Sequence, residues 1–219
     1  MAQQQARGGP AHADGFGGQV AWVIGATGTL GREMAGLLAS RGARVAASAR
    51  AGAKLDEVAA TLQGGAGVPV DLLDNASVPA AARRIAATLG PIDHLVVSVS
   101  VSAFGEFLGL DDEAFESAMQ TKYMGSLRAM RAVLPGMVER RFGRIVVLSG
   151  GGGTFPRPVH LPGGGANAAL ELVARGIAKR YANDGIRVNI VAPGPISSPR
   201  MEAIVAASNA AGQGDGNVP

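Results

Sequence analysis

QVAWVIGATGTLG, the stretch at residues 19–31, decides how the rest of the chain is interpreted. Its first part is apolar and partly β-branched, which predicts a buried β-strand. Glycines follow at Gly25, Gly28 and Gly31, and a helical pattern begins between the last two. The stretch therefore predicts a strand, a tight glycine-rich turn and a helix in immediate succession.

The same alternation of short apolar runs and longer helical patterns continues along the chain. The predicted strands are Gln19–Ile24, Arg44–Ala49, Val68–Val70, His94–Val99, Arg144–Leu148 and Arg187–Val191. The predicted helices are about Leu30–Arg41, Lys54–Leu62, Ser77–Leu89, Asp111–Arg140 and Gly165–Asn183. Such an alternation favours parallel strands joined by right-handed crossovers, with helices on both faces. The predicted fold class is α/β, a doubly wound parallel sheet (Rossmann fold) in a single domain, with ligands bound at the carboxyl ends of the strands.

Composition sets the limits of that domain and excludes several classes of function. Residues 1–18 and 206–219 are polar or glycine-rich and aperiodic, so we expect flexible tails around a domain at 19–205. The chain has no cysteine and three scattered histidines, which argues against a metal site. A net charge of +3 argues against nucleic acid as a partner. No apolar run is long enough for a membrane span and no signal-peptide pattern is visible, so we expect a soluble cytoplasmic protein.

Each glycine of the turn has its own physical reason if the turn binds a phosphate. Gly25 permits the tight strand-to-helix turn, Gly28 lets backbone N–H groups approach a pyrophosphate, and Gly31 lets the helix pack on the strand. The alternative is a glycine-rich turn that binds no ligand. At the end of the second strand, Arg50 stands where a carboxylate would bind the ribose hydroxyls of NAD. A guanidinium there favours the 2′-phosphate of NADP(H), the alternative being a solvated surface arginine.

The sequence resembles the short-chain dehydrogenases/reductases from about Gln19 to Met201. The motifs that carry the resemblance are Gly25–Gly31, Asp71 in VDLLD at 70–74, PIDHLV at 91–96, GRIVVLS at 143–149 and GIRVNIVAPGPISSP at 185–199. The resemblance implies cofactor contacts at matching positions. These are Thr27, Thr29 and Leu30 at the pyrophosphate turn, Asp71 beside the adenine, Ser98 on the ribose side, Pro193 and Gly194 beside the nicotinamide, and Ser198 at its carboxamide.

The catalytic positions depart from the family pattern. The family's tyrosine, lysine, serine and asparagine fall here on Gly163, Asn167, Gly150 and Lys122, in that order. The only two tyrosines of the chain lie elsewhere, at 123 and 181. Ordinary tyrosine-based carbonyl reduction is therefore not expected.

Three other residues are candidates for the missing chemistry. Lys122 would point toward the nicotinamide and could act as acid, base or iminium former. His160 titrates near neutrality beside the vacated tyrosine position, and Ser149 could bind a carbonyl. The structural alternatives are a lysine that reaches solvent, a loop histidine and a serine that caps a turn.

The end of the chain and its long helices bear on assembly. The sequence becomes Gly/Asn/Ala-rich where family members continue, so we expect the helical lid over the substrate to be mostly absent and the fold to be truncated there. An exposed sixth strand and the long apolar helix at Asp111–Arg140 favour a homodimer or homotetramer.

Three functional hypotheses remain open. The first is an atypical NADP(H)-dependent oxidoreductase that reduces a small carbonyl or imine, with Lys122, Ser149 or His160 supplying the proton. The second is a non-redox isomerase, dehydratase or cyclase on the same scaffold. The third is a catalytically inactive pseudoenzyme that binds a dinucleotide or a protein partner.

Overall fold

The computed structural model describes residues 15–194 and 196–210 as one α/β domain. The strands are β1 Val20–Ile24, β2 Arg44–Ser48, β3 Ala66–Gly67, β4 Ile92–Val97, β5 Gly143–Leu148 and β6 Ile186–Val191. The helices are α1 Thr29–Ser40, α2 Ala53–Ala60, α3 Ser77–Thr88, α4 Asp112–Ala118, α5 Gly125–Arg140, α6 Leu161–Tyr181 and α7 Pro199–Ala210. Most of the predicted elements are present with shifts of a few residues at their ends.

All six strands pair in parallel in the order β3-β2-β1-β4-β5-β6. The strand β1 alternates between two cores, because successive side chains of a strand point to opposite faces. Trp22 packs with α3 and α5 on one face, while Val23 packs with α1 and α2 on the other. The predicted doubly wound parallel sheet is therefore confirmed, and its order reverses between β1 and β4, where such sheets bind ligands.

The third strand lies earlier than predicted. It was expected at Val68–Val70, but the regular ladder with β2 covers Ala66–Gly67. The N–H groups of Val68 and Val70 still donate to β2-side carbonyls at 2.8 and 2.9 Å. The backbone nitrogen of Pro69 between them faces away from β2, at the open edge of the sheet, where a proline is tolerated.

The helix predicted at Asp111–Arg140 is divided by a π-helical turn at Met119–Met124. The Ser126 hydroxyl donates to the Lys122 carbonyl inside this wider turn. Wider turns of this kind are typical of functional sites. The stretch from 119 to 124 contains neither glycine nor proline, so the sequence carries no signal of the interruption.

The ordered domain extends beyond the predicted boundaries at both ends. The Phe16 N–H donates to the Arg41 carbonyl at 2.8 Å, and the Phe16 ring meets the His94 ring edge-on at 5.2 Å. Residues 15–18 thereby provide a partner for a carbonyl at the end of α1. The helix α7 runs to Ala210 because its alanine-rich sequence suits a helix. The remaining parts of the two expected tails, 1–14 and 211–219, lie outside the described residues.

None of the helices within the described ranges is long and apolar enough to cross a membrane.

Candidate functional site

The glycines of the turn after β1 lie in two different environments. Gly25 has φ +84°, and a Cβ there would lie 2.1 Å from the Ser98 carbonyl oxygen. A Cβ at Gly31 would lie 2.1 Å from the Gly25 carbonyl oxygen. A Cβ at Gly28 would come no nearer than 3.4 Å to any neighbour. Positions 25 and 31 therefore exclude a side chain by backbone contact, whereas the exposed position 28 leaves room for a ligand.

The helix α1 begins directly behind this turn. Its N-cap is Gly28, no side chain caps it, and its first turn carries no acidic residue. The N–H groups of a first helical turn have no partner within the helix, and the helix dipole adds positive potential. This end of α1 therefore suits a phosphate group.

A cavity of about 440 Å³ lies at the carboxyl ends of β1, β4, β5 and β6. Most of the residues singled out in the sequence line it together. They are Thr27, Gly28, Thr29, Leu30, Ser98, Lys122, Ser149, His160, Pro193, Gly194 and Ser198. The fold thus brings the expected phosphate end, the expected nicotinamide end and all three candidate catalytic residues to one cavity.

Four predicted cofactor residues do not line that cavity. Gly25 and Gly31 shape the turn from behind, as their contacts show. Arg50 is exposed beyond the end of β2, on the far side of β1 from the catalytic candidates. Asp71 is exposed as well, and its carboxylate accepts a hydrogen bond of 2.9 Å from the Leu73 N–H. Arg50 and Asp71 therefore remain predictions for the adenosine end of a cofactor.

Lys122 lies in the π turn and is only 5% exposed. Its ammonium donates to the Val99 carbonyl at 2.8 Å and to the Leu148 carbonyl at 3.2 Å. Those carbonyls lie at the carboxyl ends of β4 and β5, so the lysine bridges the two strands beside the cavity. The alternative of a lysine that reaches into solvent is excluded by this burial.

Ser149 is buried and its hydroxyl donates to the Glu171 carboxylate. Glu171 comes from α6, is itself buried, and lies 3.9 Å from the guanidinium of the exposed Arg175. Glu171 is not among the site residues predicted from the sequence. It could have been found, because it follows Asn167 by one helical turn among the buried positions of α6.

His160 occupies the space that a side chain at position 163 would need. A Cβ at Gly163 would lie 2.1 Å from both Cε1 and Nε2 of the imidazole. The ring is held by a 3.1 Å contact from Nδ1 to the Ala103 carbonyl and by the Phe104 ring, 4.7 Å away. At the position where the resemblance expects a tyrosine, the chain therefore presents an imidazole to the cavity.

Asn167 carries a polar atom without a partner. The side chain is only 4% exposed, and its Nδ2 makes a long 3.4 Å hydrogen bond to the Gly150 carbonyl. Its Oδ1 is buried with no partner among the described residues. A buried acceptor of this kind is costly unless it receives a hydrogen bond, so the wall at Asn167 suits a hydroxyl or N–H donor of a bound molecule.

The expectation that the lid would be mostly absent needs correction. The helix α7 follows β6, and its Met201 and Ile204 line the cavity. Ile204 is 8% exposed because it packs inward. An apolar helical wall is thus present at Pro199–Ala210, where no helix was predicted.

The fold and the cavity together define a dinucleotide-binding type of α/β protein, with a glycine turn at a helix N-terminus and a site at the strand ends. Residues 19–209 match the family model described as short chain dehydrogenase. The chain belongs to that oxidoreductase family, whose members bind nicotinamide dinucleotides, and the resemblance of the sequence is confirmed.

Individual relatives agree with this assignment. The chain is 30% identical over 190 residues to the 3-oxoacyl-[acyl-carrier-protein] reductase FabG of Escherichia coli, covering 86% of this chain and 78% of that protein. It is 34% identical over 161 residues to a protein of Xanthobacter autotrophicus named inactive 2-(S)-hydroxypropyl-CoM dehydrogenase 2, covering 73% and 70%. The solved structure of a short-chain dehydrogenase from Streptomyces avermitilis superposes with a TM-score of 0.78 at 30% identity, covering 83% of this chain and 67% of that one.

Proposed function

We propose that this protein is an atypical NADP(H)-dependent oxidoreductase that transfers a hydride to a small carbonyl or imine without the family's tyrosine and lysine. The observation that carries the proposal is the shared cavity. It is lined by Gly28 at the phosphate end, Pro193 at the expected nicotinamide end, and Lys122, Ser149 and His160. Hydride transfer depends mainly on a correctly positioned nicotinamide. A cavity that holds the cofactor and offers a proton donor therefore has the groups that the reaction needs.

The cofactor would be held along the strand ends. The N-terminus of α1 and Gly28 would receive the pyrophosphate, and the Asn167 Oδ1 would accept a hydrogen bond from the molecule bound in the cavity. Arg50 would pair with the 2′-phosphate, which favours NADP(H) over NAD(H). The bound nicotinamide supplies the hydride for reduction or accepts it for oxidation.

The residues around the cavity divide the proton chemistry between them. Because the Ser149 hydroxyl donates its hydrogen to Glu171, its oxygen can only accept from a group in the cavity. The proton that a reduced carbonyl oxygen needs would therefore come from Lys122 or from the doubly protonated form of His160, because a neutral imidazole uses its one N–H on the Ala103 carbonyl. Lys122 is held by backbone carbonyls and is thus fixed in direction.

The first experiment is a calorimetric titration of the protein with NADPH and with NADH, repeated with Arg50→Gln. Micromolar binding of NADPH, much weaker binding of NADH, and loss of that preference in Arg50→Gln would support the proposed cofactor. Equal binding of the two cofactors would contradict the role of Arg50, and binding of neither would contradict the oxidoreductase proposal.

The second experiment measures oxidation of NADPH with activated carbonyls and imines. Slow turnover by the wild-type protein, and its loss in Lys122→Ala or His160→Ala, would identify the proton donor. Turnover that survives both substitutions would contradict the assignment of the proton to these two residues.

A specific observation favours a catalytically inactive protein as the second candidate. His160 fills the space above Gly163, where the family has its tyrosine, and one relative is named as inactive. In that case NADPH would bind but no carbonyl or imine would be reduced. Activity of any associated complex would then be unchanged in Lys122→Ala and His160→Ala.

Self-association as a homodimer or homotetramer is part of the proposal. Leu172 on α6 is 67% exposed, and Val191 on the edge strand β6 is 47% exposed, which leaves apolar surface for a second copy. Sedimentation velocity of the wild-type protein and of Leu172→Glu tests this. A monomeric wild-type protein would contradict it.

A further inference from the structure

The cavity has an uneven charge. Its described lining contains Lys122 and Arg157, together with His160, but no aspartate or glutamate. Glu171 lies behind the wall, where it is engaged by Ser149 and Arg175, and it is not part of the lining. A cavity with cationic side chains and no acidic ones selects negatively charged molecules.

One of these cations has no charge partner. Within residues 15–194 and 196–210, no carboxylate forms an ion pair with the Arg157 guanidinium, and the residue is half-buried at the cavity wall. Guanidinium groups bind carboxylates through two parallel hydrogen bonds, so such a group is available for an anion that enters the cavity.

The backbone holds Arg157 in place. It lies between Pro156 and Pro158, with φ −104° and ψ 118°, the extended conformation that a following proline imposes. Its carbonyl accepts a 2.9 Å hydrogen bond from the His160 N–H, which starts the short helical turn leading into α6. The backbone from which the Arg157 side chain extends is therefore restrained before any ligand binds.

Arg157 belongs to a different end of the cavity from the phosphate turn. The turn follows β1 and Arg157 follows β5, and β4 lies between these two strands. Arg157 follows the same strand as Ser149 and lies three residues before His160, so it belongs with the residues expected to act on the substrate.

We propose that the substrate is a small carbonyl or imino compound that also carries a carboxylate, which Arg157 binds while the reacting group faces Lys122, Ser149 and His160. The proposal rests on the function proposed above and gives its substrate class. Lys122 adds favourable charge from the same wall, and the apolar side chains of Met201 and Ile204 on α7 limit the size of the molecule.

The test uses pyruvate and its neutral analogue pyruvamide as probes, with binding measured by calorimetry on the full chain. We expect the wild-type protein to bind pyruvate at least about tenfold more tightly than pyruvamide, the size of effect typical of one charge-assisted hydrogen bond. Arg157→Gln should lower this preference by about the same factor, whereas Arg157→Lys should keep part of it. Arg83→Gln, at an exposed arginine on α3 away from the cavity, is the matched control and should leave the preference unchanged.

Several outcomes would overturn the proposal. They are equal binding of the two probes, binding of neither, and a preference that survives Arg157→Gln in a variant with unaltered thermal unfolding.

A second titration, with saturating NADP⁺ present, tests whether Arg157 binds the substrate carboxylate or a phosphate of the cofactor. Loss of pyruvate binding in its presence would assign Arg157 to a cofactor phosphate and would also overturn the proposal. If NADPH does not bind, the proposed oxidoreductase function is contradicted. The preference for pyruvate over pyruvamide is measured without the cofactor and can still be interpreted by itself.

Discussion

Both ends of the cavity contain glycines at which a side chain would collide with neighbouring atoms. The neighbouring atoms are of different kinds at the two ends. At the phosphate turn, side chains at Gly25 and Gly31 would collide with backbone carbonyl oxygens. At the end proposed to bind the substrate, a side chain at Gly163 would collide with a side chain, the imidazole of His160. The first end is therefore dictated by the fold itself, whereas the second depends on which neighbouring side chain is present. A fold can thus keep its ligand-binding frame while its chemistry is exchanged.

The largest effect is expected where the backbone excludes the side chain. Gly25→Ala combines an unfavourable positive φ with overpacking, so we expect a loss of about 2–4 kcal/mol in the free energy of unfolding. Urea denaturation measures it. Gly36→Ala in the middle of α1 is the control, because nothing lies within 4 Å of a Cβ there. That control should gain roughly 0.5–1 kcal/mol from helix propensity. Similar unfolding free energies for Gly25→Ala and Gly36→Ala would show that the backbone does not exclude a side chain at position 25.

The second prediction concerns the collision between a side chain at Gly163 and the His160 imidazole, which a second substitution can remove. Gly163→Ala should cost about 2 kcal/mol through overpacking against the imidazole. In a His160→Ala background the same substitution should cost almost nothing, since the obstructing ring is gone. A double-mutant cycle on unfolding free energies measures this coupling. Additive effects would show that the ring does not occupy the space above Gly163.

The third prediction concerns the pair behind the cavity wall. Ser149→Ala removes the hydroxyl that donates to the buried Glu171 carboxylate, and we expect a loss of about 1–2 kcal/mol in unfolding free energy. The exposed Ser102 provides a control through Ser102→Ala, which should be neutral. If Glu171→Gln restores the stability of Ser149→Ala, the cost lies in a carboxylate that has lost the hydroxyl as its hydrogen-bond donor. If it does not, the pair stabilises the wall only through packing.

The smallest effect lies at the opposite, amino end of the sheet and serves as a reference for pH. Burial lowers the pKa of His94 below its ordinary value of 6.5, with Asp93 opposing and Arg144 adding to the shift. The unfolded chain therefore takes up the proton first, and stability falls as the pH is lowered below 6.5. Denaturation above and below that pH should show this fall in the wild-type protein and a smaller one in His94→Gln. An equal fall in the unfolding free energy of the wild-type protein and of His94→Gln would show that another group is responsible for it.

The sequence predicted those parts of the molecule that depend on local pattern. The glycine turn, the doubly wound parallel sheet and the family follow from spacing along QVAWVIGATGTLG and the later motifs. The position of Lys122 in the cavity lining agrees with the expectation from the family resemblance, but no residue type within Met119–Met124 indicates the π turn that carries it. The Ser149–Glu171 pair and the imidazole above Gly163 depend on contacts between distant segments, which one-dimensional periodicity does not contain. The wall formed by α7 was missed because an alanine-rich, weakly amphipathic helix resembles an aperiodic segment.

The π turn between α4 and α5 has a consequence for the evolution of the site. A π turn holds one more residue than an α-helical turn, and each residue of an α-helix advances the side-chain direction by about 100°. Deletion of one residue between Met119 and Met124 would let the chain continue as an ordinary helix, but the side chains on one side of the deletion would rotate relative to those on the other. Lys122 or the buried face of α5 would then turn away from its partners. The number of residues in this short segment, and not only their identity, therefore determines the side of the helix from which the Lys122 side chain extends toward the cavity.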